Sequence, residues 1–185
     1  MITEEYSSSP VGRLPNSRFP LLIHRKAVAG GGVTPIRNLF QSNGWYNNWQ
    51  NHGVYTYGHF HSTTHECLGC AQGWIELLVF GTNGTTVRLE TGDVVLMPAG
   101  VSHAMTGCSD DNIMVGGYPD GRDWDNIQEA YLTEDAYRAT VKRIMMLPIP
   151  ARDPVTGEPM HQWLNAPSSG EVGMDGIRDS LDAVS

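Results

Sequence analysis

The sequence contains few cysteines and few basic residues, and it has no long apolar run. Three cysteines cannot form a disulfide framework, and their odd number favours a reducing compartment. The 12 Lys and Arg residues are outnumbered by 20 Asp and Glu residues, and the formal net charge of −8 argues against binding to nucleic acid. No segment approaches the roughly 18 consecutive apolar residues that a membrane-spanning helix needs. The N-terminal residues lack the basic head and apolar middle of a secretory signal, so we expect a cytoplasmic protein with no membrane partner.

Glycine and proline are by contrast abundant, and they indicate many turns. The 185 residues include 21 Gly and 11 Pro, and 40% of them are hydrophobic, which is enough for one buried core. From residue 54 onward, short apolar segments alternate with residues typical of turns. These segments are 54–61, 66–72, 74–80, 86–89, 94–97, 101–105 and 113–116. Short strands at such regular spacing predict an all-β sandwich or barrel.

One helix is predicted after the strands, over residues 134–147. Thr133 is a suitable N-cap, and the acidic side chains of Glu134 and Asp135 complement the partial positive charge of the first helical turn. Pro148 ends the run because proline cannot continue a helix. Apolar residues recur within it at helical spacing, so we expect the helix to pack against the strands from outside.

The same signals divide the chain into three parts. Residues 1–18 mix Ser, Pro, Gly and charge and predict an N-terminal arm. Residues 19–165 predict a single domain whose barrel core spans about 53–120, and residues 166–185 predict a C-terminal tail. Three consecutive glycines predict a flexible break over residues 27–34.

Four potential metal ligands lie at spacings that predict a shared site. His59 and His61 alternate on one predicted strand and so project from the same face. Glu66 opens the next strand, and His103 follows the Pro-Ala-Gly turn at residues 98–100. Three neutral imidazoles and one carboxylate suit one divalent transition-metal ion, namely Fe, Mn, Ni, Cu, Co or Zn. With a six-coordinate metal, four protein ligands leave positions open for water or substrate.

The faces that carry these ligands also predict the lining of a pocket. The uncharged residues that share a face with a ligand are Tyr55, Tyr57, Leu68, Cys70 and Met105. Such a lining predicts a small ligand that is largely neutral or singly anionic, because a phosphosugar or dicarboxylate needs Arg or Lys partners. His65 projects from the face opposite to Glu66, which favours support of the ligands over direct metal binding, although the geometry of the turn leaves ligation open. Trp45 and Trp49 are candidates to cover the barrel mouth or to pack between chains.

Two segments of the sequence resemble the two motifs of the cupin superfamily. The first reads Gly53-x5-His59-x-His61-x4-Glu66-x6-Gly73, and the second reads Gly92-x5-Pro98-x-Gly100-x2-His103. Gly107 stands where the second motif usually ends in Asn, which is not a metal ligand in the family. Stretches similar to the YjlB-like branch of single-domain cupins are 43–45, 61–69, 92–100, 115–119, 124–125 and 148–154. The likeness covers roughly residues 15–165.

The resemblance implies an all-β fold, the double-stranded β-helix or jelly-roll barrel of cupins, with a C-terminal α-helix packed outside. It also implies that His59, His61, Glu66 and His103 bind the metal of an enzyme acting on a small organic molecule, with an oxygenase favoured. The alternatives are a metal-dependent lyase, isomerase or decarboxylase, and a metal-containing protein that binds a small molecule without catalysis. Because cupin barrels commonly pair, we expect a homodimer, with the N-terminal arm crossing to the neighbour.

Overall fold

Nine strands form two antiparallel sheets within residues 1–166, the part of the chain that the computed structural model describes. The strands are β1 (Ile2–Ser8), β2 (Ser17–Arg25), β3 (Trp45–Asn51), β4 (Glu66–Gln72), β5 (Trp74–Val79), β6 (Thr85–Glu90), β7 (Val94–Met97), β8 (His103–Cys108) and β9 (Ile113–Pro119). The helices are α1 (Val33–Ser42), α2 (Glu134–Met145) and α3 (His161–Leu164), with a 3-10 helix at Glu129–Tyr131. The larger sheet has the order β1-β2-β7-β4-β9-β3, and the smaller sheet has the order β6-β5-β8.

The main core lies between the two sheets. On β5 every second residue is buried, including Ile75 and Leu77, which is the pattern of a sheet with one face in solvent. These side chains pack in one cluster with inward residues of the larger sheet, such as Leu68 and Val95. Two antiparallel sheets that face each other across one core form the predicted jelly roll.

The larger sheet is buried on both faces at its centre. All residues of β7 and all but the last of β4 are buried, so these strands are apolar almost throughout. On the outer face, Leu22 and Leu96 pack with α1 residues and with Trp163 of α3. Glu66, the first residue of β4, is therefore an ionisable group in a buried part of the sheet.

Helix α1 is not among the elements predicted from the sequence, and it begins at Val33, near the end of the predicted break over residues 27–34. The glycines at 30–32 have positive φ, and the helix begins directly after them. Its buried residues Ile36 and Phe40 lie one turn apart and pack on the larger sheet where Gly69 leaves room for them. A Cβ atom at Gly69 would lie 2.6 Å from Cγ2 of Ile36. The helix thus depends on a contact with the sheet, which the local sequence does not reveal.

The N-terminal residues form β1 at the edge of the larger sheet. β1 pairs with β2 of the same chain, with Ile2 opposite Arg25, and the Arg25 guanidinium donates to the Glu4 carboxylate at 2.8 Å. The predicted boundary between residues 18 and 19 falls inside β2, so part of the predicted arm belongs to the sheet. Crossing of this arm to a neighbouring chain stays a prediction.

At the C-terminal end, the predicted tail over 166–185 lies, apart from Ala166, outside the described residues.

Helix α2 begins at its predicted first residue and ends two residues before the predicted limit of 147. The Thr133 hydroxyl accepts a hydrogen bond from a backbone N–H of the first turn at 3.2 Å, as expected of an N-cap. Tyr137 and Ile144 pack against a small apolar cluster that includes Phe60, which keeps the helix outside the barrel.

None of the helices within residues 1–166 has the length and apolar character needed to cross a membrane.

The segment over residues 54–61 is not the strand that its apolar pattern predicts. It makes isolated bridges, one between His59 and His103 and one between Phe60 and Ile127. The first bridge nevertheless joins the two parts of the sequence that contain the predicted ligands.

Candidate metal centre

Three buried histidines converge beside the carboxylate of Glu66. The ligand atoms of His59, His61 and His103 all lie within 4.8 Å of one another. Oε2 of Glu66 lies 3.4 Å from Nε2 of His61 and 3.4 Å from Nε2 of His103. His103 begins β8 of the smaller sheet, whereas Glu66 begins β4 of the larger sheet. The structure therefore brings together the four residues that the sequence predicts as ligands.

Backbone hydrogen bonds hold the loop that carries the first two histidines. The His59 N–H donates to the His103 carbonyl at 3.2 Å, and the His103 N–H donates to the His59 carbonyl at 2.9 Å. In the turn that precedes His103, the Gly100 N–H donates to the His61 carbonyl at 2.8 Å. Gly100 has a φ of +91°, and a Cβ there would lie 2.4 Å from the carbonyl oxygen of Asn16. Only glycine suits this position, so the Pro-Ala-Gly turn fixes the loop against the site.

Each of the three imidazoles uses its Nδ1 atom to contact a backbone carbonyl. The partners are the carbonyls of Tyr57 at 3.1 Å from His59, of Asp125 for His61, and of Val101 at 3.1 Å from His103. Because a carbonyl only accepts hydrogen bonds, Nδ1 carries the proton in each case. In the neutral rings the Nε2 lone pairs are left for another partner. Such contacts orient the imidazoles of metal sites and increase their basicity.

The Glu66 carboxylate is buried and has one oxygen without a hydrogen bond. Its Oε1 accepts from the Tyr118 hydroxyl at 2.7 Å, whereas Oε2 accepts none although it lies beside His61 and His103. A buried carboxylate oxygen that lacks a partner is unfavourable because it has lost its hydration. A divalent cation bound by Oε2 and the imidazole nitrogens would satisfy this oxygen. The donor set therefore fits a bound metal ion.

The site also shifts the pKa values of its members in opposite directions. Burial lowers the pKa of His59 to about 3, and the neighbouring His103 adds to this effect. Burial alone would lower the pKa of His61, but the Glu66 carboxylate raises it above its ordinary value. Burial alone would raise the pKa of Glu66, but His61 and His103 hold it below its ordinary value. Glu66 is therefore ionised, and either a cation or a proton on His61 must balance its charge.

Asp125 holds the turn that follows His61, and the sequence analysis gave it no role. Its carboxylate accepts from the backbone N–H groups of Ser62 at 2.6 Å and Thr63 at 3.3 Å and from both hydroxyls. Burial alone would raise the pKa of Asp125, but the hydrogen bonds from Ser62 and Thr63 lower it. The backbone carbonyl of the same residue contacts His61 Nδ1. Asp125 thus supports one of the predicted ligands from a segment more than sixty residues away.

A cavity of about 370 Å³ opens above the four residues. Its aromatic lining comes from Trp49, Tyr55, Tyr118 and Trp124. The remaining polar lining comes from Asn51 and His52, and among residues 1–166 no Lys, Arg or Asp side chain lines it. Within residues 1–166, the cavity therefore has aromatic walls and no Lys or Arg side chain.

The predicted pocket residues divide between this cavity and the core. Tyr55 lines the cavity, and Tyr57 stacks on it with ring centroids 5.0 Å apart. Leu68, Cys70 and Met105 pack instead into the core between the sheets. They share a face with a ligand, but each residue along a strand adds about 3.3 Å, so positions further along the strand lie deeper in the barrel. These three residues thus lie outside the cavity lining.

His65 lies away from the other three histidines. Its ring packs against Trp163 at a centroid distance of 4.7 Å and against Phe19 at 6.2 Å. Its Nδ1 accepts a hydrogen bond from the Ala99 N–H at 2.9 Å. Burial lowers the pKa of His65 to about 4, so the ring is neutral. His65 anchors the Pro-Ala-Gly turn and does not reach the predicted metal site.

Tyr118 lines the cavity but is not among the pocket residues predicted from the sequence. The predicted strand ends at residue 116, whereas β9 continues to Pro119. Met114 and Gly116 share the inward face of β9, and continuing this alternation by one step would have identified Tyr118. Of the two tryptophans considered for the barrel mouth, Trp49 lines the cavity, whereas Trp45 is buried and donates to the Arg152 carbonyl.

Comparison with known proteins supplies one related sequence and several structural likenesses. No protein-family model matches the chain. The chain is 33% identical over 158 residues to the uncharacterized protein YjlB of Bacillus subtilis, a match that covers 84% of this chain and 92% of YjlB.

Solved structures resemble parts of the chain at low sequence identity. An acireductone dioxygenase from Bacillus anthracis, with a cadmium ion in its active centre, is 19% identical and has a TM-score of 0.38 over 51% of this chain and 63% of its own. A variant of Bacillus subtilis oxalate decarboxylase is 17% identical with a TM-score of 0.35, over 66% of this chain and 27% of its own. A DUF861 family protein from Thermotoga maritima is 16% identical with a TM-score of 0.32, over 53% of this chain and 98% of its own. The chain therefore spans less than two thirds of the dioxygenase and of the decarboxylase.

Proposed function

The chain belongs to the YjlB-like cupins, and we propose that it is a metal-dependent enzyme acting on a small organic molecule. His59, His61, Glu66 and His103 would bind one divalent transition-metal ion. The observation that carries this proposal is the buried Glu66 Oε2 atom, which lacks a hydrogen bond beside the imidazoles. The three Nδ1–carbonyl contacts support it, because they leave the other ring nitrogens available.

When bound, the metal would supply Lewis-acid or redox chemistry to a substrate in the cavity. The chain's own residues have three tasks around it. The carbonyl contacts and the Asp125 turn keep the imidazoles in place, and the ionised Glu66 offsets part of the cation's charge. A substrate bound between the aromatic walls would be partly shielded from water, which would strengthen its electrostatic interactions with the site.

The lining of the cavity favours a substrate that is planar, small and either neutral or singly charged. Trp49, Tyr55 and Trp124 present aromatic surface, and no Lys or Arg among residues 1–166 lines the cavity. A multiply charged anion would need such partners. The net charge of −8 would further oppose the approach of a polyanion.

Within this function we favour an oxygenase. Imidazole-rich sites suit iron and copper, and an apolar cavity suits an aromatic substrate together with O₂. A lyase, isomerase or decarboxylase reaction would use the same ligands without consuming O₂, and a binding protein would show no turnover.

A ligand screen followed by an oxygen-uptake assay tests this proposal. Small phenolic, keto and monocarboxylic compounds should raise the melting temperature of the metal-loaded protein but not of the chelator-treated protein, and phosphorylated sugars should raise neither. Oxygen uptake with a compound that binds would support the oxygenase. Metal-dependent turnover without oxygen uptake would favour the lyase or isomerase. Tight, metal-dependent binding of a multiply charged anion would contradict the proposed substrate class.

A further inference from the structure

Tyr118 lies between Trp49 and Glu66 in a short chain of hydrogen bonds. The Trp49 Nε1–H donates to the Tyr118 hydroxyl at 2.9 Å, and this hydroxyl donates to Glu66 Oε1 at 2.7 Å. The three residues come from β3, β9 and β4, which are neighbours in the larger sheet. All three line the cavity.

The direction of these two hydrogen bonds is determined by the chemistry of the three side chains. An indole nitrogen can only donate a hydrogen bond, an ionised carboxylate can only accept, and a hydroxyl has a single proton. Tyr118 must therefore accept from Trp49 and donate to Glu66, and the reverse arrangement is not available. Oε1 of Glu66 accepts this hydrogen bond from Tyr118. Oε2 accepts no hydrogen bond and lies beside His61 and His103.

Packing holds both aromatic side chains in the positions that this arrangement needs. A Cβ atom at Gly116 would lie 2.2 Å from the Trp49 indole, so the missing side chain makes room for the ring. Trp124 stacks on Tyr118 with ring centroids 4.8 Å apart and an interplanar angle of 10°. The Tyr118 side chain is 1% exposed. These contacts restrict the rotation of Tyr118 and hence of the carboxylate that it contacts.

We propose that Tyr118, oriented by Trp49, is a positioning residue that makes Glu66 present a single oxygen, Oε2, to the metal ion. This inference rests on the proposed function, since it concerns a ligand of the proposed metal site. Tyr118 acts through Glu66, without contact to the metal. Loss of the hydroxyl would free Oε1 and let the carboxylate rotate, so the ligand would no longer be preorganised.

The test compares the Co²⁺ affinity and the visible absorption spectrum of the Co²⁺-loaded protein in four variants. Tyr118→Phe removes the hydroxyl, Trp49→Phe removes the donor that orients it, and a double variant removes both. Tyr46→Phe is the matched control, because Tyr46 is the exposed residue that faces Tyr118 in the β3–β9 register. Competition with a chelator gives the dissociation constants, and thermal unfolding without metal checks that each variant folds.

We expect Tyr118→Phe to bind Co²⁺ about 10–100-fold more weakly and to change the spectrum, as is usual when a group that orients a ligand is removed. Trp49→Phe should cause a smaller loss. Because Trp49 acts through Tyr118, the double variant should bind no more weakly than Tyr118→Phe. Tyr46→Phe should match the wild type. If Tyr118→Phe fails to fold, a changed spectrum and weaker binding in Trp49→Phe would support the inference, and an unchanged spectrum and affinity would overturn it.

The outcomes separate this inference from the proposed function. If the wild type binds Co²⁺ tightly, His61→Ala does not, and Tyr118→Phe keeps the wild-type affinity and spectrum, the metal site stands and the positioning role is wrong. If the wild type does not bind Co²⁺, the proposed function fails and this inference fails with it. Additive losses in the double variant would show that Trp49 does not act through Tyr118.

Discussion

At the scale of single residues, the three histidines differ in how their orientation is secured. His59 and His103 contact carbonyls two residues earlier in their own segments, whereas His61 contacts the carbonyl of Asp125. The orientation of His61 therefore depends on a distant loop whose position is maintained by the Asp125 carboxylate. Among the three histidines, His61 is the one whose orientation depends on a residue outside its own segment.

Replacement of Asp125 by Ala should weaken both the fold and the metal site. The change removes hydrogen bonds from Ser62 and Thr63 to a charged acceptor, and each such bond contributes about 1.5–3 kcal/mol in favourable cases. We expect the free energy of unfolding to fall by about 2 kcal/mol and the metal affinity to fall as well. Asp110→Ala, at an exposed position away from this loop, is the control and should change neither. Urea unfolding and metal titration measure the two effects, and an unaltered metal affinity in Asp125→Ala would refute the supporting role.

The limits of prediction at this scale follow from the range of the interactions involved. His59, His61, Glu66 and His103 could be selected from the sequence because spacing along the chain and turn placement are local signals. Asp125 could not be given a role, because its contacts depend on which loop lies beside the site. Alternation along β9 could have placed Tyr118 in the pocket, but its hydrogen bonds with Trp49 and Glu66 depend on which strands are neighbours. Those neighbours are set by the packing of the sheets.

At the scale of secondary structure, α1 and α2 form for different reasons. Helix α2 carries its own signals, since Thr133 caps it and acidic residues occupy its first turn. Helix α1 has no side-chain cap and no acidic residue in its first turn. Its stability comes from Ile36 and Phe40, which pack on the larger sheet over Gly69. This explains why the sequence predicted α2 and not α1.

Replacement of Gly69 by Ala should therefore disturb α1. The new methyl group would lie 2.6 Å from Cγ2 of Ile36, closer than packed atoms approach. Overpacking of this kind costs about 1–3 kcal/mol, which would appear as a lower urea midpoint. Gly107→Ala is the matched control on another strand, since its Cβ would meet nothing closer than 3.7 Å. Equal stabilities of the two variants would show that α1 does not depend on the close approach at Gly69.

At the scale of the whole molecule, a buried hydrogen bond connects the larger sheet to the segment after α2. Nε2 of His24 on β2 lies 2.9 Å from Oδ2 of Asp153, and both side chains are buried. Burial alone would raise the pKa of Asp153, but His24 and the N–H groups of Thr156 and Val155 hold it below its ordinary value of 3.8. The ionised carboxylate thus favours the folded state at pH values above the unfolded-state pKa. This contribution is lost as the pH falls through the lowered pKa.

Asp153→Asn should accordingly make the protein less stable at neutral pH and less dependent on pH in acid. We expect the free energy of unfolding to fall by about 2 kcal/mol at pH 7. Near pH 3 the difference from the wild type should shrink, because protonation removes the same charge from the wild type. Asp110→Asn, an exposed site, is the control. A difference between wild type and Asp153→Asn that stays constant from pH 7 to pH 3 would contradict the assigned role of this carboxylate.

A homodimer remains the prediction for the assembly in solution. Within residues 1–166, β1 lies at one edge of the larger sheet, and such an edge presents backbone groups suited to pairing with another chain. Light scattering at micromolar concentration should give twice the 20.3 kDa of one chain. A mass equal to one chain would contradict it.

The metal content of the purified protein tests the central claim most directly. We predict about one transition-metal ion per chain in the wild type, as four ligands around a single centre require. The same value is expected in His161→Ala, which removes an exposed imidazole far along the chain from the site. His61→Ala and His103→Ala should retain their β-sheet circular dichroism and contain metal near background. Full occupancy in both variants would contradict the assignment of the site.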